Sequence, residues 1–202
     1  MSESDLGRPA AGEVHVWRIP LPGSVEGLTE EERARAARFR SPSVAAEWAT
    51  TRSTTRTLLA KYVEGPISFD EDADGKPSVV GSGVQFNVAH TSGLSLLAVA
   101  ADRAVGVDVE RIDPRVDRVA IGALAFDPVT ARRLAGASAC SFFAHWTRLE
   151  ALGKCRGTGL KEQMALDPRD GEVVVDIDAG PGYAAAVAVA AGPVRIRLLT
   201  AH

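Results

Sequence analysis

Lysine is nearly missing from this 202-residue chain: it stands only at positions 61, 76, 154 and 161, against nineteen arginines. The skew, with abundant alanine, fits a GC-rich coding bias and makes each lysine a position to account for. Cysteine is as scarce. Cys140 and Cys155 alone cannot build a disulfide framework, so the core must hold without cross-links, and a reducing, cytoplasmic setting is expected. No apolar run approaches ~20 residues, which excludes a spanning helix. Residues 1–15 show no basic start followed by an apolar stretch, so a secretory leader is not expected. A positive excess is also absent: the net charge is −3, which disfavours a non-specific nucleic-acid binder. There is no G-x-S-x-G, no P-loop, no G-x-G-x-x-G and no H-E-x-x-H.

Hydrophobic residues make up 46% of the chain, enough for a soluble protein of this length to bury a core without zinc or disulfides. Alternation in residues 14–21 predicts a strand. Thr29 and Glu32 form a T-x-x-E capping box that opens a helix to about Phe39. Ser41-Pro42 starts a long helix reaching about Tyr62, stopped by Gly65-Pro66. Strands are predicted at 67–69, 84–89 and 94–100. The second half repeats this order, with a strand at 104–109, helices near 117–124, 128–135 and 139–155 ending at Gly157, then strands at 172–177, 183–189 and 194–200. The pattern predicts an α+β fold rather than a doubly wound parallel sheet. It also predicts a weak internal duplication that divides the chain into residues 1–102 and 103–202.

Candidate chemistry sits in four segments. In Gly106-Val107-Asp108-Val109-Glu110, strand alternation sends the valines to one face and both acids to the other. Carboxylates ~7 Å apart on one face call for a cation, and Mg2+ with oxygen ligands fits; an amphipathic edge strand with solvated acids fits too. Trp146, Glu150 and Lys154 fall at i, i+4 and i+8, one helical stripe. This is either a surface ion pair or a third carboxylate beside a phosphate-facing ammonium. Phe86 to Gly93 is an apolar strand running into a polar turn, where His90 either serves structure or donates to a phosphate. Asp70 to Gly75 imitates the start of a calcium loop, but its twelfth position is Gly81 where a glutamate is needed. Gly75-Lys76-Pro77 reads better as a tight turn presenting a lysine. Cys140, beside the aromatic run, is expected in the core, and neither cysteine has a nucleophile's setting.

In this order the segments resemble the 4′-phosphopantetheinyl transferases, and among them the Sfp-type enzymes that activate carrier proteins. The resemblance is carried by Gly75-Lys76-Pro77, by Phe86-Asn87-Val88-Ala89-His90-Thr91, by Gly106 to Glu110, and by Trp146-Thr147 through Glu150-Ala151 to Lys154 with Gly157-Thr158-Gly159-Leu160 behind it. The arginine-rich stretch from Arg35 through Arg38-Phe39 to Arg56 is also similar. Two positions depart from the pattern: Ala89 replaces a serine and Leu149 a lysine.

The resemblance implies two similar halves related by a pseudo-twofold, each a small, mostly antiparallel sheet with packed helices, and coenzyme A in the cleft between them. It implies Mg2+ held by Asp108, Glu110 and Glu150. Coenzyme A would be bound by Arg35, Gly75, Lys76, Pro77, Asn87, Val88, Ala89, His90, Asp108, Glu150 and Lys154, with Glu150, Lys154 and Asp108 catalytic. The implied reaction transfers the 4′-phosphopantetheine arm to a serine of an apo acyl or peptidyl carrier protein of polyketide or peptide synthases. Because the partner supplies the nucleophile, the chain needs none of its own. An acidic carrier would meet a patch built from Arg111, Arg115, Arg118, Arg132 and Arg133 near Leu124 and Phe126, on a cytoplasmic, monomeric enzyme. The alternatives are a non-catalytic binder of coenzyme A or carrier protein, and a Mg2+-dependent phosphoester hydrolase.

Overall fold

The computed structural model describes residues 7–71, 77–158 and 168–201. The elements run β1 (Glu13–Pro20), α1 (Glu30–Ala36), α2 (Pro42–Leu59), β2 (Phe69–Glu71), β3 (Pro77–Val79), β4 (Gln85–Thr91), β5 (Leu94–Ala100), β6 (Val105–Arg111), α3 (Arg118–Ala125), α4 (Pro128–Ala135), α5 (Ala139–Arg156), β7 (Val173–Asp176), β8 (Tyr183–Val189) and β9 (Arg195–Thr200). The mixed α+β character is as expected. Helix α1 starts on the capping box: the Thr29 hydroxyl accepts from the Glu32 N–H, and the Glu32 carboxylate accepts from the Thr29 N–H. Helix α5 stops at Gly157, whose φ of 73° is the left-handed conformation that glycine adopts without strain. Strand β3, paired antiparallel with β2, lies where no strand was expected; three residues starting at Pro77 are too short to show alternation.

Among the described residues three sheets form, in the orders β4-β5-β1-β9, β2-β3 and β6-β8-β7. Every pairing is antiparallel except β1 with β9. The last strand thus returns to the sheet of the first, with Val16 level with Leu198. The four-stranded sheet is apolar on both faces, as the fully buried run of β5 requires. On one face Val14, Val16, Leu96 and Ala98 pack against Val105, Val107, Val109 and Val187 of the three-stranded sheet. On the other, Trp17, Ile19, Leu97 and Val99 pack against Leu58 and Leu59 of α2. The far face of the three-stranded sheet carries Ala186 and Ala188 against Ala151, Leu152 and Cys155 of α5. The layers therefore run α2, sheet, sheet, α5. Phe126, Leu134, Phe142, Phe143 and Leu149 close a further core between α3, α4 and α5.

Candidate active site

Strand β6 meets helix α5 unusually closely, and Gly106 allows it. A Cβ at this position would stand 2.1 Å from the Ala151 carbonyl oxygen and 2.4 Å from the Cys155 nitrogen. Gly106, Asp108 and Glu110 share the strand face turned to the helix, opposite the buried valines. The approach buries Asp108 to 4% exposure and brings Lys154 onto it: Lys154 Nζ donates to Asp108 Oδ1 at 2.6 Å. The second oxygen, Oδ2, is buried without a hydrogen-bond partner among the described residues.

The three predicted acids act on one another. Burial raises the pKa of Asp108, and the Lys154 ammonium opposes it. Burial and then the Asp108 charge raise Glu110, while hydrogen bonds from Trp146 and Thr91 work the other way. Burial and then Asp108 raise Glu150, Lys154 opposes, and Glu110 adds to the rise. Two carboxylates ~7 Å apart repel by about 2 kcal/mol at an effective dielectric of ~20. The group is therefore poised for a cation. As the side chains stand, no three His, Cys, Asp or Glu among the described residues gather tightly enough to hold a metal, and the Lys154 ammonium balances Asp108 instead. The orphaned Oδ2, with two further acids beside it, is a donor set that suits a hard divalent ion.

Beside this group β4 runs along β6 without a backbone ladder between them. Asn87 Oδ1 accepts from the Val107 N–H at 2.9 Å, and Thr91 Oγ1 accepts from the Arg111 N–H at 3.2 Å. Thr91 Oγ1 also donates to Glu110 Oε2 at 3.4 Å. Two side chains thus join the four-stranded sheet to the three-stranded one. Asn87 and Ala89 point to that junction, where Ala89 is buried at 2% exposure in the inter-sheet core.

Phe86, Val88 and His90, on the other face of β4, line a cavity of about 290 Å3 with Arg35, Pro77 and a face of α2. Arg35, Pro77, Val88 and His90 of the predicted set are gathered there. His90 also favours the charged form of Asp108, which links the cavity to the acid group. Gly75, Lys76, Gly159 and Leu160 lie outside the described residues. Sequence reasoning passed over Thr51 and Arg52, and took Thr91 only as part of the β4 segment. The spacing of Trp48, Thr51, Arg52 and Thr55 on one helical face was the available signal.

Other expectations shift. Cys140 is exposed on the first turn of α5 rather than in the core, because the helix phase turns Phe142 and Phe143 inward instead. Phe126 is 1% exposed and belongs to the core, whereas Leu124 is 80% exposed. Leu149 is fully buried, and Arg148 pairs with Asp176 of β7 through Nε at 2.7 Å.

Buried acids braced by a lysine, and a cavity lined by Arg35, Arg52 and His90, are groups suited to phosphate esters and a divalent ion. A sequence profile of the 4′-phosphopantetheinyl transferase superfamily matches residues 104–192, which contain β6, α5 and the whole acid group. Over 181 residues the chain is 33% identical to the 4′-phosphopantetheinyl transferase HetI of Nostoc sp., covering 78% of this chain and 76% of that protein. It is 27% identical over 160 residues to slr0495 of Synechocystis sp., itself a candidate 4′-phosphopantetheinyl transferase, covering 72% of this chain and 65% of the relative. The chain belongs to the 4′-phosphopantetheinyl transferase superfamily.

Proposed function

We propose that the protein is an Sfp-type enzyme that moves the 4′-phosphopantetheine arm of coenzyme A onto a serine of an apo acyl or peptidyl carrier protein. The observation that carries this reading is the meeting of β6 and α5, which gathers Asp108, Glu110, Glu150 and Lys154. Coenzyme A lies in the cleft between the halves 1–102 and 103–202. Its nucleotide end is held by Arg35, His90, Val88 and the Gly75-Lys76-Pro77 turn, while Asn87 and Ala89, on the other face of β4, support that strand from the inter-sheet junction. Asp108, Glu110 and Glu150 hold Mg2+, which supplies charge neutralisation at the pyrophosphate. Lys154 turns its ammonium from Asp108 toward phosphate oxygens as charge develops there. Glu150 accepts the proton of the serine hydroxyl through an oxygen not committed to Mg2+, directly or by way of a water. The serine oxygen bonds to the β-phosphorus, the bond to the bridging oxygen breaks, and adenosine 3′,5′-bisphosphate departs.

The carrier protein lands on α3 and α4. Val119, Leu124 and Val129 are exposed there, beside exposed Arg132 and Arg133. An acidic partner complements that mixture of apolar and cationic groups. Arg115 contributes less, since it is held by Asp113. No described helix is long and apolar enough to cross a membrane; we assign the enzyme to the cytoplasm, as a monomer serving polyketide or peptide synthases.

The test is intact-mass measurement of an apo carrier protein incubated with coenzyme A and Mg2+. The serine gains the phosphopantetheine mass with wild type and not with Asp108→Ala or Glu150→Ala. In the same assay Arg132→Glu with Arg133→Glu raises KM for the carrier about tenfold and leaves KM for coenzyme A alone. Full turnover by the acid variants would refute the mechanism, and binding without turnover by wild type would make the protein a binder.

A further inference from the structure

One ammonium is shared among three acids. Lys154 Nζ donates to Asp108 Oδ1 at 2.6 Å. Its charge also draws Glu110 and Glu150 toward their ionised forms, against the rise that burial and the Asp108 charge impose on both. Three carboxylates and one ammonium therefore form a single electrostatic unit, and a change at Lys154 is felt by all three acids.

The two ends of the ion pair differ in freedom. Asp108 lies within β6 with its side chain 6% exposed, and Gly106, two residues before it, is pressed against the backbone of α5. The Lys154 side chain is 28% exposed and carries its charge on a flexible four-carbon stem. The acid is fixed, and the ammonium is the partner able to move. Asp108 Oδ2, buried without a hydrogen-bond partner among the described residues, is the atom that suits a hard divalent ion. A cation there stands across one carboxylate from the ammonium, and two cations so placed repel.

We propose that Lys154 is a built-in competitor for the divalent ion: it holds the metal affinity of the free enzyme down, and yields when coenzyme A brings phosphate oxygens for the ammonium to bind. Metal and coenzyme A then bind with positive coupling. The coupling is reciprocal, so the factor by which coenzyme A tightens metal binding is the factor by which metal tightens coenzyme A binding. The site takes up little metal alone and fills with both together. The inference rests on the reading of Asp108, Glu110 and Glu150 as metal ligands and of coenzyme A as substrate. A pyrophosphate that touches the metal adds coupling of its own. The part owed to Lys154 is separable, because it shows in the enzyme without coenzyme A.

Calorimetry measures Mg2+ affinity with and without coenzyme A, at about pH 8 to stay well above the carboxylate range, and with no carrier protein present. In wild type, coenzyme A tightens Mg2+ binding about tenfold or more. Lys154→Met keeps a long stem and drops the charge. It binds Mg2+ alone about tenfold more tightly than wild type, and its coupling factor shrinks to match. Lys154→Arg keeps the charge and stays near wild type without coenzyme A. Thermal melts show that the variants fold, and Mg2+ alone raises the Tm of Lys154→Met more than that of wild type. A second measurement needs no uncharged variant. With four lysines in the chain, the ε-carbon NMR signal of Lys154 is assigned by its loss in Lys154→Arg. In wild type it shifts further with Mg2+ and coenzyme A together than with either alone. A Lys154→Met enzyme that binds Mg2+ alone no more tightly than wild type, or a Lys154 signal that both ligands together leave unmoved, overturns the competitor role and leaves the transferase reading in place. A wild type that binds Mg2+ neither alone nor with coenzyme A overturns both.

Discussion

Asp108 is the residue on which burial, charge and chemistry press hardest. It is nearly inaccessible, one oxygen is taken by Lys154, and the other has no hydrogen-bond partner among the described residues. Glu110 and Glu150 stand close enough for the Asp108 charge to raise their pKa values beyond the rise from burial. Raised carboxylate pKa values carry a definite sign. The folded state holds these protons more tightly than the unfolded chain, so the stability they confer is complete below the ordinary carboxylate range, near pH 4.5. It is lost as pH rises through the folded values. At neutral pH the site is therefore held against its own repulsion. Glu110→Gln and Glu150→Gln are expected to melt a few degrees higher than wild type at pH 7, with the gain vanishing toward pH 4, while turnover is lost. Melting curves across that range check it; carboxamide variants less stable than wild type at pH 7 would show that the acids are not in conflict. The pairing of acids on one face of β6 was legible in Gly106-Val107-Asp108-Val109-Glu110, because strand parity is fixed by backbone geometry. That Asp108 would be buried was not legible, since burial comes from a helix forty residues later in the chain.

At the scale of elements, the site exists because β6 and α5 touch through small residues. Ala186 and Ala188 of β8 and Ala151 of α5 flatten the contact, and Gly106 removes the last obstacle. A methyl group there would meet two backbone atoms, the Ala151 oxygen and the Cys155 nitrogen, and backbone of a helix cannot step aside as a side chain can. Gly106→Ala should therefore push α5 off the sheet, costing about 3 kcal/mol or more, which corresponds to a drop of roughly 6–12 °C in Tm for a chain of this size. Turnover should fall with it, because Lys154 and Glu150 retreat from Asp108. A variant that melts within 2 °C of wild type and stays active would show that the contact tolerates separation. The helices and most strands were readable beforehand, as the capping box at Thr29 and Glu32 and the stop at Gly157 illustrate. Those signals are local. The role of Gly106 was not readable, because a glycine in a strand says only that something comes close, not what.

At the scale of the whole molecule, the four-stranded and three-stranded sheets are stitched along β4 and β6 by side chains instead of a ladder. The succession of elements along the chain was legible, but their order in the sheets and the return of β9 to lie parallel to β1 were not, since a strand carries no mark of which edge it will join. The seam bears on Asn87 in particular. The family resemblance places it against coenzyme A, whereas here its carbonyl oxygen satisfies the buried N–H of Val107. Asn87→Ala would leave that N–H unpaired at about 1–3 kcal/mol, equivalent to roughly 2–12 °C in Tm, and would loosen the contact between the two sheets. KM for coenzyme A should then rise only in proportion to the lost order, and recover as temperature is lowered and the seam closes. Calorimetric melts and KM measured at two temperatures separate the cases. An Asn87→Ala enzyme with wild-type Tm and a tenfold higher KM at both temperatures would make Asn87 a direct ligand of the nucleotide. A large fall in Tm with a temperature-sensitive KM makes it the pin that holds β4 against β6 at the spacing on which the acid group depends.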